Sequence, residues 1–109
     1  YYILTLNKFI DVDNPFGIEN AYSGIGAIAY YQYRYGQALA YLLKALNLAE
    51  KINFKIGIVI NYNRLGLVYH ALNEDDKAFA VLQKSENIAK KIQYYDGLIE
   101  LYHNYMIIL

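Results

Sequence analysis

The chain has no cysteine, which removes disulfides and thiolate chemistry and fits a reducing cytosol. It also lacks a net charge, because 10 basic residues balance 10 acidic ones. No overall field therefore draws it to nucleic acid or to an anionic membrane, and no Lys/Arg cluster stands out beyond Lys90 and Lys91. A long apolar run is missing too. The most apolar stretch, GAIAYYQYRYGQALAYLLKAL, is broken by Gln32, Arg34, Gln37 and Lys44, so it falls short of the roughly 20 apolar residues of a membrane span. At YYILTL no basic region precedes an apolar one, so no signal peptide is expected. The chain reads as a cytoplasmic segment of a longer protein.

Sites of chemistry are equally scarce. The two histidines, His70 and His103, lack HExxH spacing, and no Cys cluster exists, so no metal site is expected. Gly24 and Gly26 are not part of a GxGxxG or GKS/GKT motif, which argues against a phosphate loop. Ser23 and Ser85 have neither a nucleophile-elbow setting nor a triad. Asp11 and Asp13 start like a calcium loop, but Asn14 and Pro15 follow, and helix capping suits them better. Asp75 and Asp76 complement a helix dipole without any catalytic role. An enzyme is the weakest functional class, and no cofactor or metal is expected.

What is present is apolar surface: 57% hydrophobic and only 18% charged over 109 residues. That is enough for one domain with a real core and excludes disorder. Its arrangement is periodic. Gly17, Gly57 and Gly97 stand 40 residues apart, Tyr22, Tyr62 and Tyr102 follow in register, and Gly26/Gly66, Ala38/Ala78, Leu42/Leu82 and Ala49/Ala89 repeat the offset. A fixed period of this kind marks units that bury their apolar faces only against their neighbours.

Within each unit the apolar spacing is helical rather than alternating. Ile58, Tyr62, Leu65, Gly66, Tyr69 and Leu72 form the stripe of a first helix, and Ala78, Leu82, Ser85, Ala89 and Ile92 that of a second. The polar break ALNEDD between them supplies Asn and Asp as potential caps. Glycine is a poor helix former by about 1 kcal/mol against alanine. Its place in YNRLGLVY, residues 62 to 69, therefore implies a helix crossing too close for a side chain.

These residues resemble the tetratricopeptide repeat, whose pattern is a large aromatic, Leu-Gly and Tyr in a first helix, then Ala and a large apolar residue in a second. The second unit matches with Tyr62, Leu65, Gly66, Tyr69, Ala78 and Leu82, and the first with Tyr22, Ile25, Gly26, Ala29, Ala38, Leu42 and Ala45. The period of 40 exceeds the usual ~34, Glu50 and Lys90 replace the closing proline, and Met106 stands where a third glycine would fall. The longer period resembles an extended variety of the repeat, common in bacterial sensors and regulators and in scaffold adaptors.

The resemblance implies an all-α, right-handed superhelical array of antiparallel helix pairs, about six helices in all. Residues 1–13 would be the second helix of a preceding unit, 15–53 and 55–93 two full repeats, and 95–109 the first helix of a third. It implies a non-catalytic protein- or peptide-binding module, with structural self-association as the alternative. Neither nucleic acid nor membrane is an expected partner. A homodimer or end-to-end stacking through apolar terminal helices (YYILTL and MIIL) is expected of the isolated chain.

In such an array the first helices line the concave surface. One helical step from the core stripe lie Asn20, Ser23, Ala27 and Tyr30 in the first unit, then Ile60, Asn63, Leu67 and His70, then Glu100, His103 and Ile107. Amide, hydroxyl and imidazole groups mixed with apolar ones suit an extended peptide. The candidate surface is Asn20, Ser23, Tyr30, Asn63, Arg64, Leu67, His70 and His103. The same positions read equally well as solvent-facing residues or contacts to a neighbouring chain. Ser23 and Ala27 occupy places where the family's best-known carboxylate clamp needs other residue types, so that clamp is incomplete and a chaperone-tail function does not carry over.

Overall fold

Alternation of helical stripes with short polar breaks requires antiparallel helix pairs, and the computed structural model, described here for residues 14–109, has that form. Among these residues there are five helices: α1 Pro15–Tyr31, α2 Tyr35–Lys51, α3 Lys55–Ala71, α4 Asp75–Ile92 and α5 Tyr95–Ile108. The helix expected over residues 1–13, with Asp11 and Asp13, lies outside the described residues. None of the five is long and apolar enough to cross a membrane.

The turns carry a shorter period than the sequence comparison detects. Tyr33, Asn53, Asn73 and Gln93, each 20 residues after the last, all have positive φ, between 56° and 63°. At each turn the next residue's N–H returns to a carbonyl five residues back, at 2.8 Å in all four cases: Arg34 to Ala29, Phe54 to Ala49, Glu74 to Tyr69 and Tyr94 to Ala89. The left-handed residue itself donates three residues back, Tyr33 to Tyr30 and Asn73 to His70 among them. This pair of bonds is the Schellman termination, which satisfies carbonyls left open at a helix end. Joints within a repeat and between repeats are therefore the same joint, and 40 residues are two turns of a 20-residue device.

Capping by the ALNEDD segment differs from expectation. Asn73 is the left-handed residue, and the N-cap of α4 is Glu74, with no side-chain cap bond. Only α1 has a side-chain cap, Asn14 Oδ1 accepting from Gly17 N–H at 3.2 Å, followed by Pro15 in its first turn.

Helix crossings form where the small residues predict. A Cβ on Gly26 would lie 2.6 Å from Leu42 Cγ, and one on Gly66 2.7 Å from Leu82 Cδ2. The leucine of each second helix thus fills the space its first helix leaves open, and Leu42 and Leu82 are both fully buried. Ala38 and Ala78, one turn earlier, are fully buried as well. The core continues from α1 and α2 into α3 through Ala29, Leu42, Leu46, Ile58, Tyr62, Leu65 and Val68, so each repeat is closed by its successor. Gly97, at a unit boundary, has no more room than Gly66: a Cβ there would meet the Tyr94 ring at 2.6 Å and Val59 Cγ1 at 2.8 Å.

Candidate functional site

Helices α1, α3 and α5 lie side by side and jointly wall a groove of about 480 Å³. Ala27, Tyr30 and Tyr31 come from α1, Arg64 and Leu67 from α3, and Glu100, His103, Asn104 and Ile107 from α5, with Leu42 of α2 behind them. The one-step offset from the core stripe explains this. Side chains at those positions point along the surface between adjacent first helices instead of into the second helix.

A directed hydrogen-bond chain starts at the groove residue Arg64 and ties α1 to α3. Arg64 Nη1 donates to Ser23 Oγ at 2.6 Å, Ser23 donates to Asn61 Oδ1 at 2.7 Å, and Asn61 Nδ2 donates to Glu19 Oε2 at 2.7 Å. Ser23, Asn61 and Glu19 are buried. Burial pushes the Glu19 carboxyl above its usual range, against the Asn61 hydrogen bond and the Arg64 charge, which both favour the ionised form. A second set ties α3 to α4 and α5. Asn63 Nδ2 donates to the Gly97 carbonyl at 3.0 Å, Ser85 Oγ donates to Asn63 Oδ1 at 2.6 Å, and Asn104 Nδ2 donates to the Asn63 carbonyl at 2.9 Å. Among the described residues no buried side-chain nitrogen or oxygen lacks a partner, as burial of polar groups demands.

The eight residues expected on the concave surface divide accordingly. Tyr30, Arg64, Leu67 and His103 line the groove. Ser23 is buried and is not part of the lining, its hydroxyl accepting from the groove residue Arg64. Asn63 corrects the expectation most sharply: it is fully buried, with both ends of its amide bonded inside the protein, so it cannot meet a ligand. The helical step places Asn63 beside the next repeat rather than beside solvent. Asn20 is exposed but outside the groove. His70 sits at the α3–α4 joint with Nδ1 2.7 Å from Asp75 Oδ1, also away from the groove.

Arg64 and Glu100 put one positive and one negative charge into the same space. Glu100 is exposed as a whole residue, yet its carboxyl is raised above the usual range by the surrounding protein, with Arg64 and then His103 opposing the shift. Tyr31 also lines the groove, although it falls one residue outside the helical spacing that selects the candidate surface. The run YYQYRY, with its unusual density of tyrosine in a turn, is the signal that marks it. Among the described residues no cluster of His, Asp and Glu could hold a metal ion.

A family model described as a tetratricopeptide repeat matches residues 17–91, which span α1 to α4. No curated protein and no solved structure matches the chain.

Proposed function

This chain belongs to the tetratricopeptide repeat family, whose repeats generally mediate protein–protein interactions, and from that premise we propose that the groove between α1, α3 and α5 is a non-catalytic binding site for a peptide segment of a partner protein. One observation carries the reading: a single space gathers apolar (Leu67, Ile107), aromatic (Tyr30, Tyr31) and hydrogen-bonding or charged (Arg64, Glu100, His103) side chains from three consecutive first helices. Apolar walls with a few convergent polar groups suit a peptide, whose backbone needs donors and acceptors while its side chains need pockets. A bacterial sensor, regulator or scaffold is the setting in which such a module fits.

Selection from a random peptide library with the 109-residue chain, followed by titration against Leu67→Glu and His103→Ala, tests it. Leu67→Glu places a carboxylate on the lining of the groove and is expected to weaken every selected peptide by about tenfold or more. Thermal melts of both variants should stay close to that of the parent. Selected peptides that bind Leu67→Glu as they bind the parent would end the groove reading.

A second reading has its own observation. On α5, Ile99 is 69% and Met106 78% exposed, and Met106 fills the place where Gly26 and Gly66 admit a leucine from the next helix. A copy of the chain packing against this face would bury it, which makes self-association the alternative role.

A further inference from the structure

The outer face of α5 carries a pattern that the repeat itself does not require. Tyr95, Ile99, Tyr102 and Met106 follow one another at spacings of four, three and four residues, the alternation that keeps one seam of a helix against a second helix. All four are exposed, and they lie opposite Gly97, Leu101 and Asn104, which α5 buries against the rest of the protein. No charged residue falls on the seam. The Tyr102 hydroxyl already donates to Glu86 at 2.9 Å, so its ring can be covered without stranding a polar group. Glu100 and Ile107, which line the groove, fall outside the seam.

The order of the four residues is self-complementary in one direction only. From the start of α5 the seam reads aromatic, aliphatic, aromatic, thioether. Two parallel copies would set like on like. Two antiparallel copies, in the register that uses all four positions, set Tyr95 on Met106 and Ile99 on Tyr102 twice over, so that every ring meets an aliphatic or thioether group, and sulfur against a ring edge is favourable. The flanks agree with the same register. Asp96 and His103 each follow a tyrosine of the seam and are seven residues apart, so both border it on one side. Reversing the second helix brings the Asp96 carboxylate of one copy opposite the His103 imidazole of the other, and by symmetry the pair occurs twice.

We propose that α5 pairs with α5 of a second copy, antiparallel about a two-fold axis that passes between Ile99 and Tyr102, an inference that rests on this face being the self-associating one. Other occupants fit less well. A helix of the α2 or α4 kind seats its leucine where Gly26 and Gly66 leave room, and Met106 fills that place on α5. A membrane surface attracts helices that bear Lys or Arg beside their apolar face; α5 has neither and carries Asp96 and Glu100.

The chain has no cysteine, so introduced thiols report the pairing directly. A tagged Ile99→Cys chain and an untagged Tyr102→Cys chain are mixed in a glutathione redox buffer, and the three possible disulfide-linked dimers are separated by size. The expected result is that the mixed dimer forms most of the product, well above the half that random pairing gives. Predominance of either self-linked dimer overturns the antiparallel register. In sedimentation, Asp96→Lys should weaken the dimer by about threefold or more, and adding His103→Glu should restore it. Because Asp96 also lies in the first turn of its helix, restoration is the deciding readout, and a double variant as weak as Asp96→Lys overturns the cross-pair. A parent that self-associates into open chains without the mixed disulfide leaves self-association standing and removes the two-fold pairing. A parent that stays monomeric at millimolar concentration, or that instead floats with anionic vesicles, removes both.

Discussion

The side-chain amide of Asn63 donates to the carbonyl of Gly97 across 3.0 Å, joining α3 to the first turn of α5 in the next repeat. With Oδ1 accepting from Ser85, one residue links three helices, α3, α4 and α5. A residue positioned by its spacing for ligand binding is thus a structural bond between repeats.

Asn63→Ala should accordingly act on stability. The Gly97 carbonyl loses its side-chain partner and Ser85 one of its two acceptors, Val59 O remaining at 3.3 Å. Each net hydrogen bond lost costs about 0.5–1.5 kcal/mol, so the two bonds of the amide together are worth about 1–3 kcal/mol. Denaturant unfolding of the variant should show a loss in that range. Unaltered stability would mean that the interface between α3 and α5 is looser than this bond implies.

The glycines should separate by what surrounds them. Gly66→Leu forces a side chain against Leu82 and should lose about 1–3 kcal/mol or more. Gly97→Leu should be comparably damaging, since the Tyr94 ring and Val59 occupy its space. Gly36 has nothing within 4 Å of a built Cβ and lies in the first turn of α2, so Gly36→Ala should raise stability by up to about 1 kcal/mol. Thermal melts of the three variants side by side would expose any error in the ordering.

Gln93→Gly should stabilise the chain. Gln93 is exposed and has φ 57°, a conformation that costs an L-residue about 1–2 kcal/mol and glycine none. Part of that gain is offset by the greater freedom of glycine when unfolded. Asn53→Gly should gain less, because Asn already tolerates the region. Equal shifts in melting temperature for the two would count against strain at Gln93.

Glu19 should make stability fall with rising pH. Its folded pKa is raised from 4.5, so between that value and the folded one the native state binds more protons than the unfolded state. The linkage slope is then negative: the stabilisation from the protonated carboxyl is complete below about pH 4.5 and is lost as pH climbs through the raised value. Glu100 shifts the same way, while Glu86, lowered first by the Tyr102 hydroxyl and then by Lys90, shifts oppositely. Glu19→Gln retains an oxygen for Asn61 to donate to and should flatten the decline above the ordinary carboxylate range. A pH series of unfolding curves that is identical for parent and variant would show that Glu19 titrates normally.

Self-association through α5 should depend on concentration and on Met106. Sedimentation of the parent should reveal dimers or larger species at high concentration, and Met106→Glu should reduce them by placing charge on the exposed face. A parent that stays monomeric throughout would remove this reading.

Helix-pair architecture, the placement of Gly26 and Gly66 at close crossings, and the buried stripe of Ala78, Leu82, Ser85 and Ala89 were legible in the sequence, whereas Ile92, expected on the same stripe, is exposed at the end of its helix. They depend on local periodicity and on a repeat that displays its own register, and both survive in one dimension. The fate of the polar residues was not legible there. Ser23, Asn61 and Asn63 lie on the flank of a first helix, and a flank faces water or the adjoining first helix according to how closely the repeats stack. Only tertiary packing settled that Asn63 is a buried link and that Arg64, its neighbour in the chain, reaches the groove. The common 20-residue joint was likewise hidden, because left-handed backbone at a helix end is dictated by chain reversal and accepts Tyr, Asn and Gln alike. Composition therefore did not mark it, while the returning N–H to carbonyl bond did.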